Sequence, residues 1–178
     1  MDELLRHLQT RKWKGTDNRP NVVPPSERKQ TRWSATRTLT KSVRPVLSEY
    51  HGTEGETYRL VAAVAPDIPE GWHLTVNTNV ACFPHRDKYQ TSNRILLLGD
   101  FEGGGELCTE DGFRSSAKGV WHTVDPRRTH WVEPWEKGDR YSCVLFYKPE
   151  WQLKQWEDFR TRKRGETNSQ HLLQSIRT

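Results

Sequence analysis

Residues 73–83 read HLTVNTNVACF, and their alternation decides the fold class. Leu74, Val76, Val80 and Cys82 share one parity, while Thr75, Asn77 and Asn79 share the other. A period of two with one apolar side is a strand that lies on a core. Further along, ILLLGDF (95–101) is an unbroken apolar run closed by Gly103-Gly104-Gly105, which predicts a buried strand and a tight turn. ELCTE (106–110), GVWHTV (119–124), HWVE (130–133) and YSCVLFY (141–147) continue as short strands between turn signals. Before this region the texture is helical. Residues 2–12 carry Leu4, Leu5 and Leu8 at helical spacing, and 54–64 reads as a helix ended by Pro66 and Pro69. Residues 15–35, with Pro20, Pro24 and Pro25, predict an arm without helix. The tail from Trp151 is basic and helical in texture. The expected fold is mainly β with flanking helices (α+β), a sandwich or small barrel with helical additions.

The chain of 178 residues has the size of one domain. Eight Trp, five Tyr and five Phe set it apart from disordered chains, despite 29% charged residues. No apolar run approaches the roughly 18 residues that a membrane span needs, and MDELLRHLQT lacks the apolar stretch of a secretory signal. Cys82, Cys108 and Cys143 are odd in number and have no CxxC spacing, so neither a disulfide framework nor a cysteine zinc site is indicated. The expectation is an intracellular protein, in cytoplasm, nucleus or an infected host cell, with no membrane and no obligate protein partner. Charge is unevenly spread. Residues 1–50 hold 11 Lys/Arg against 5 Asp/Glu, 151–178 hold 6 against 3, and 51–150 hold 11 against 15. Basic flanks around an acidic centre suit either a phosphate backbone or simple solubility.

The chemistry-bearing residues are few. His85-Arg86-Asp87 offers an imidazole and a carboxylate two residues apart, which in extended chain project to one side. Alone this spacing is weak evidence, since His-x-Asp occurs by chance in many proteins and mostly marks a surface turn. His130 follows about forty residues later, and Arg140 and Ser142 come ten and twelve residues after it. Two histidines and one carboxylate on one face of an octahedral metal leave the opposite face open for co-substrate and dioxygen. Pro134 and Gly138 suggest a hairpin that brings Arg140 beside His130. A guanidinium there binds a carboxylate bidentately, and Ser142, on the same side, adds a hydroxyl. His122 is the alternative distal ligand. Arg94 is a weaker co-substrate candidate, and Trp121, Trp131 and Trp135 are expected in the core or pocket wall.

The ordered set His-x-Asp, His, Arg-x-Ser resembles that of the 2-oxoglutarate/Fe(II)-dependent oxygenase superfamily over roughly residues 70–150, and FEGGGEL (101–107) is similar to its glycine turn. The resemblance implies a double-stranded β-helix (jelly-roll) core at 70–150, between a basic helix and arm at 1–50 and a basic tail at 151–178. It also implies His85, Asp87 and His130 as metal ligands, with Arg140 and Ser142 at the co-substrate, and Fe(II), 2-oxoglutarate and O2 as requirements. Within the superfamily, PHRDKYQTSN (84–93), RYSCVLFYK (140–148) and NTNV (77–80) look like segments of the TET/JBP group of nucleic-acid methylpyrimidine dioxygenases. The chain lacks the cysteine-rich additions of the animal TET proteins.

That likeness implies oxidation of 5-methylcytosine in DNA to 5-hydroxymethylcytosine or beyond, on a flipped base. Asn79 is then expected to orient a ligand and Asn77 to meet substrate. Arg28, Lys29 and Arg32, with Arg11, Lys12 and Lys14, are expected to hold the phosphate backbone. The alternatives are a thymine hydroxylase on DNA, a hydroxylase of a protein side chain or small molecule, and a DNA-binding module with an inactive oxygenase core.

Overall fold

A computed structural model describes residues 1–13, 35–42, 52–65, 72–87 and 92–147, with residues 35–42 and 52–54 described by backbone only. In chain order the elements are α1 (Asp2–Thr10), β1 (Ala35–Ser42), α2 (Gly52–Val64), β2 (Trp72–Thr78) and β3 (Cys82–His85). There follow β4 (Asn93–Gly99), β5 (Leu107–Thr109), β6 (Arg114–Ser115), β7 (Trp121–Val124), β8 (His130–Val132) and β9 (Arg140–Tyr147). They form a five-stranded sheet ordered β1-β2-β9-β4-β7 and a four-stranded sheet ordered β3-β8-β5-β6, antiparallel throughout.

The pairs β2·β9, β3·β8, β4·β7 and β5·β6 are nested, as in one long antiparallel ribbon. Rolling that ribbon closes it through β4·β9 in one sheet and β5·β8 in the other. This wiring is a jelly roll, two sheets face to face with one filled interior. Strand β1 extends the larger sheet beyond the roll, and the sequence reading did not foresee it.

Strand alternation sorts the apolar residues into two layers. Leu74, Val76, Leu96, Leu98, Tyr141, Cys143 and Leu145 point to the outer face of the larger sheet, where Leu4 and Leu8 of α1 and Tyr58, Leu60 and Val61 of α2 cover them. Ile95, Leu97, Phe101, Leu107, Val124 and Trp135 fill the space between the sheets. The unbroken run 95–98 is thus a strand buried on both faces. No helix among the described residues is long and apolar enough to cross a membrane.

Two local expectations are corrected. The run 73–83 is not one strand: β2 stops at Thr78, Asn79 takes a left-handed φ of 52°, and β3 begins at Cys82 in the other sheet. Asn79 is held there because its backbone N–H donates to the Arg140 carbonyl at 2.7 Å and its Oδ1 accepts from the Arg140 N–H at 2.8 Å. Asparagine tolerates this conformation better than most residues. Nor do β8 and β9 make a hairpin, since the chain from 133 to 139 crosses between sheets. Trp135 is buried in that crossing, and Glu102 bridges Lys137. His130 and Arg140 therefore stand on opposite walls of the roll.

Candidate metal centre and anion seat

His85 ends β3 and His130 opens β8, and the two are register partners across that strand pair. Their imidazole centroids are 4.3 Å apart. Asp87 follows two residues after His85, and its backbone N–H donates to the Pro126 carbonyl at 2.8 Å, which fixes the ligand-bearing turn. One donor atom from each of His85, Asp87 and His130 falls within 4.8 Å of the others. His122 lies outside this group: its Nε2 is at 3.4 Å from the Ser115 hydroxyl and 3.3 Å from the Ala117 carbonyl.

The hydrogen bonds prepare both imidazoles as ligands. His85 Nδ1 is 2.7 Å from the Phe83 carbonyl, and His130 Nδ1 is 2.9 Å from the Arg128 carbonyl. A carbonyl only accepts, so each Nδ1 carries a proton, and in the neutral ring Nε2 is the ligand atom. The Nε2 of His130 is 3.9 Å from Asp87 Oδ2, too far for a hydrogen bond. Two neutral imidazoles and one carboxylate fit a divalent transition metal.

Arg86, between the two ligands of the turn, points away from them. It donates to the Thr129 hydroxyl at 2.8 Å and to Glu110 at 2.9 Å, tying the β3 turn to the residue before His130. Its side chain is 62% exposed, so the ion pair with Glu110 adds little stability. The spacing of His85 and Asp87 gave no sign of this tie, which depends on where β5 and β8 pass.

On the facing wall Arg140 is 2% exposed. Its Nε donates to the Gly105 carbonyl at 2.9 Å, and its guanidinium lies over Phe101 (5.5 Å) and Trp135 (5.9 Å). No carboxylate pairs with it among the described residues. Burial pushes its pKa down to about 10, partly offset by the neighbouring Cys82, so it stays cationic at neutral pH. An isolated buried cation is costly and calls for an anion. Gly105 permits the approach: a Cβ there would meet the Phe101 ring at 2.6 Å, and its φ is +79°. The glycine triplet reads as a turn in the sequence, but its use as the arginine's seat is visible only in the fold.

Ser142, next on the same side of β9, is buried and accepts a 3.0 Å hydrogen bond from Asn77 Nδ2. Asn77 is thereby part of the wall beside Arg140. Asn79 braces the entry to β9: its Oδ1 accepts from the Arg140 N–H at 2.8 Å and its Nδ2 donates to Asp139 Oδ1 at 2.7 Å.

The remaining candidates fall as follows. Arg94 lies over the Trp72 ring at 5.1 Å, away from Arg140. Trp121 donates to the Val64 carbonyl at 2.9 Å under the helical layer, Trp131 donates to Glu133 at 2.8 Å, and Trp135 is core. Arg11 is buried, donating to the Thr57 hydroxyl at 2.8 Å, and so holds α1 to α2 and does not reach solvent phosphates. Lys12 is exposed. Arg28, Lys29, Arg32, Lys14, most of the arm at 15–35 and the tail from Trp151 lie outside the described residues.

No protein-family model matches the chain, and no curated protein matches it. Among solved structures, a cupin protein from Bacteroides fragilis is similar at 13% identity and a TM-score of 0.34, over 44% of this chain and 66% of that one. An RmlC-like cupin from Desulfovibrio desulfuricans is similar at 13% identity and 0.32, over 44% and 76%. Ectoine synthase from P. lautus is similar at 14% and 0.30, over 73% and 71%. Likenesses this distant assign neither family nor activity; the jelly roll is read from the strand pairing itself.

Proposed function

We propose that the chain is an Fe(II)- and 2-oxoglutarate-dependent oxygenase that oxidises the methyl group of 5-methylcytosine in DNA. One juxtaposition carries this reading. A His85/Asp87/His130 ligand set, with both imidazole tautomers fixed, faces a wall on which Arg140 is buried without a carboxylate partner among the described residues. The first feature suits a divalent metal and the second an acid. When bound, iron(II), 2-oxoglutarate and dioxygen supply the oxidising power. Arg140 neutralises and orients the distal carboxylate of the co-substrate, and Ser142 adds a hydroxyl donor. Leu97, Phe101 and Trp135 give that end of the roll apolar surroundings.

DNA as substrate rests on the resemblance of 84–93 and 140–148 to methylpyrimidine dioxygenases and on the basic flanks. The arginines around the metal ligands already have acid partners: Arg86 with Glu110, Arg127 with Asp125 and Arg128 with Asp111. Phosphate binding therefore falls to segments such as that bearing Arg28, Lys29 and Arg32, and should weaken steeply with salt. A base in a duplex must flip out to reach a recessed metal.

The test is mass spectrometry of nucleosides after methylated DNA is incubated with the protein, Fe(II) and 2-oxoglutarate. The expected product is 5-hydroxymethylcytosine, with succinate formed in step. Product from thymine alone would change the base. Succinate without any modified nucleoside would move the reading to a protein or small-molecule hydroxylase, and no succinate at all would leave a binding module.

A further inference from the structure

The inner face of the larger sheet holds a further polar group that the roles above do not use. Asn93 opens β4 and is paired in register with Phe146 of β9 and Val124 of β7. Its parity is that of Ile95 and Leu97, so it points between the sheets. It is 4% exposed, and its Oδ1 is fully buried with no hydrogen-bond partner among the described residues. Buried amides are nearly always satisfied, so one that is not calls for a ligand. Across Phe146 in the same register row stands His73 of β2, its ring stacked on Phe146 at 5.5 Å and 26°. This row lies three alternate positions along β9 from Arg140. It is also at the end of β7, close by Pro126, whose carbonyl fixes the Asp87 turn.

Resting on the oxygenase reading above, we propose that Asn93 is the substrate-reading residue, and that it recognises the hydrogen-bonding edge of a neutral pyrimidine base. The unpartnered oxygen offers an acceptor to a ring-edge donor such as the amine of cytosine, and the N–H2 of the same amide lies beside it, as the adjacent acceptor of that edge requires. Among the described residues, Val124, Ile95 and Val144 around it bear no charge and offer an ionised ligand no counter-charge. The stacked His73 and Phe146 provide a flat aromatic flank to the row.

The test compares the parent with Asn93→Leu and Asn93→Ala on single-stranded oligonucleotides carrying one 5-methylcytosine or only thymine. It reads product formation, substrate-independent succinate formation, Co(II) affinity and melting temperature. Removing an unsatisfied buried amide should leave the melting temperature of Asn93→Leu equal or raised, whereas a structural asparagine would lower it. The expected result is a ten- to hundred-fold loss, roughly, in kcat/KM for the oligonucleotide in both variants. Co(II) affinity and substrate-independent succinate formation should be unchanged. Unaltered kcat/KM, or a lower melting temperature in both variants, overturns the role of Asn93 while the oxygenase reading stands. A parent that forms succinate but oxidises neither pyrimidine overturns the base as ligand, and a parent that forms no succinate overturns the oxygenase reading and this proposal with it.

Discussion

On its outer face the larger sheet presents Leu74, Val76, Leu96, Leu98, Cys143 and Leu145, all beneath two amphipathic helices. On its inner face the alternate residues of the same strands include Asn77, Asn93, Arg140 and Ser142. The outer layer is apolar and its buried thiol is inert, since burial pushes the Cys143 pKa up to about 12. The inner layer keeps a cation without an acid partner and amide oxygens of Asn77 and Asn93 without hydrogen bonds, among the described residues. Burial that serves only stability selects against such groups; a wall that must hold a ligand tolerates their cost. The outer face should therefore control folding and the inner face binding.

The largest effect should come from the metal ligands. His130→Ala or Asp87→Ala is expected to weaken Co(II) binding by about two orders of magnitude or more, with little change in melting temperature. His122→Ala should bind as the parent does. A titration in which His122→Ala loses the metal and His130→Ala keeps it would place the centre elsewhere.

Next in size, and opposite in kind, is truncation on the outer face. Leu74→Ala or Leu145→Ala should cost about 2–5 kcal/mol of folding stability in denaturant titration, since both are fully buried under the helices. The folded fraction should bind Co(II) normally. If metal affinity fell in proportion to stability, the separation of the two faces would be lost.

Arg140→Lys should raise the dissociation constant for 2-oxoglutarate about tenfold or more, because an ammonium cannot form the paired bonds of a guanidinium. Arg140→Met should abolish that binding and leave the melting temperature equal or higher, because the isolated buried charge is gone. Calorimetry showing normal 2-oxoglutarate affinity in Arg140→Lys would remove the arginine from the anion seat.

The smallest effect belongs to neither face. The Arg127 guanidinium, hydrogen-bonded to Asp125 in the turn before His130, draws the Asp125 pKa down to about 2. A lowered folded pKa means that the contribution is present above the ordinary carboxylate pKa of about 3.9 and is lost as pH falls through about 2. Asp125→Asn should remove this small component of the acid-unfolding curve and leave metal binding intact. The pair is largely exposed, so the change is slight. A large loss at neutral pH would show that the turn positions His130.

Local periodicity determined much about this chain. The parity of 73–78 and 141–147 marks strands with one apolar side, and the run 95–98 marks a strand buried on both, because alternation records burial relative to a single strand. The same parity relates Arg140 to Ser142, and the spacing of His85 and Asp87 brings two donors to one place without help from the rest of the fold. What tertiary structure decided is which strand meets which. β8 and β9 are neighbours in sequence with turn residues between them, yet they lie in different sheets, because the rolled ribbon pairs β8 with β3 and β9 with β2. Asn79 left the strand parity because its amide found Asp139 and Arg140, sixty residues on. Arg11 is basic in the sequence but buried in the fold, and Asn93 is an ordinary strand residue until its neighbours prove apolar. Such facts depend on what lies across space from a group, and periodicity along one strand carries no record of it.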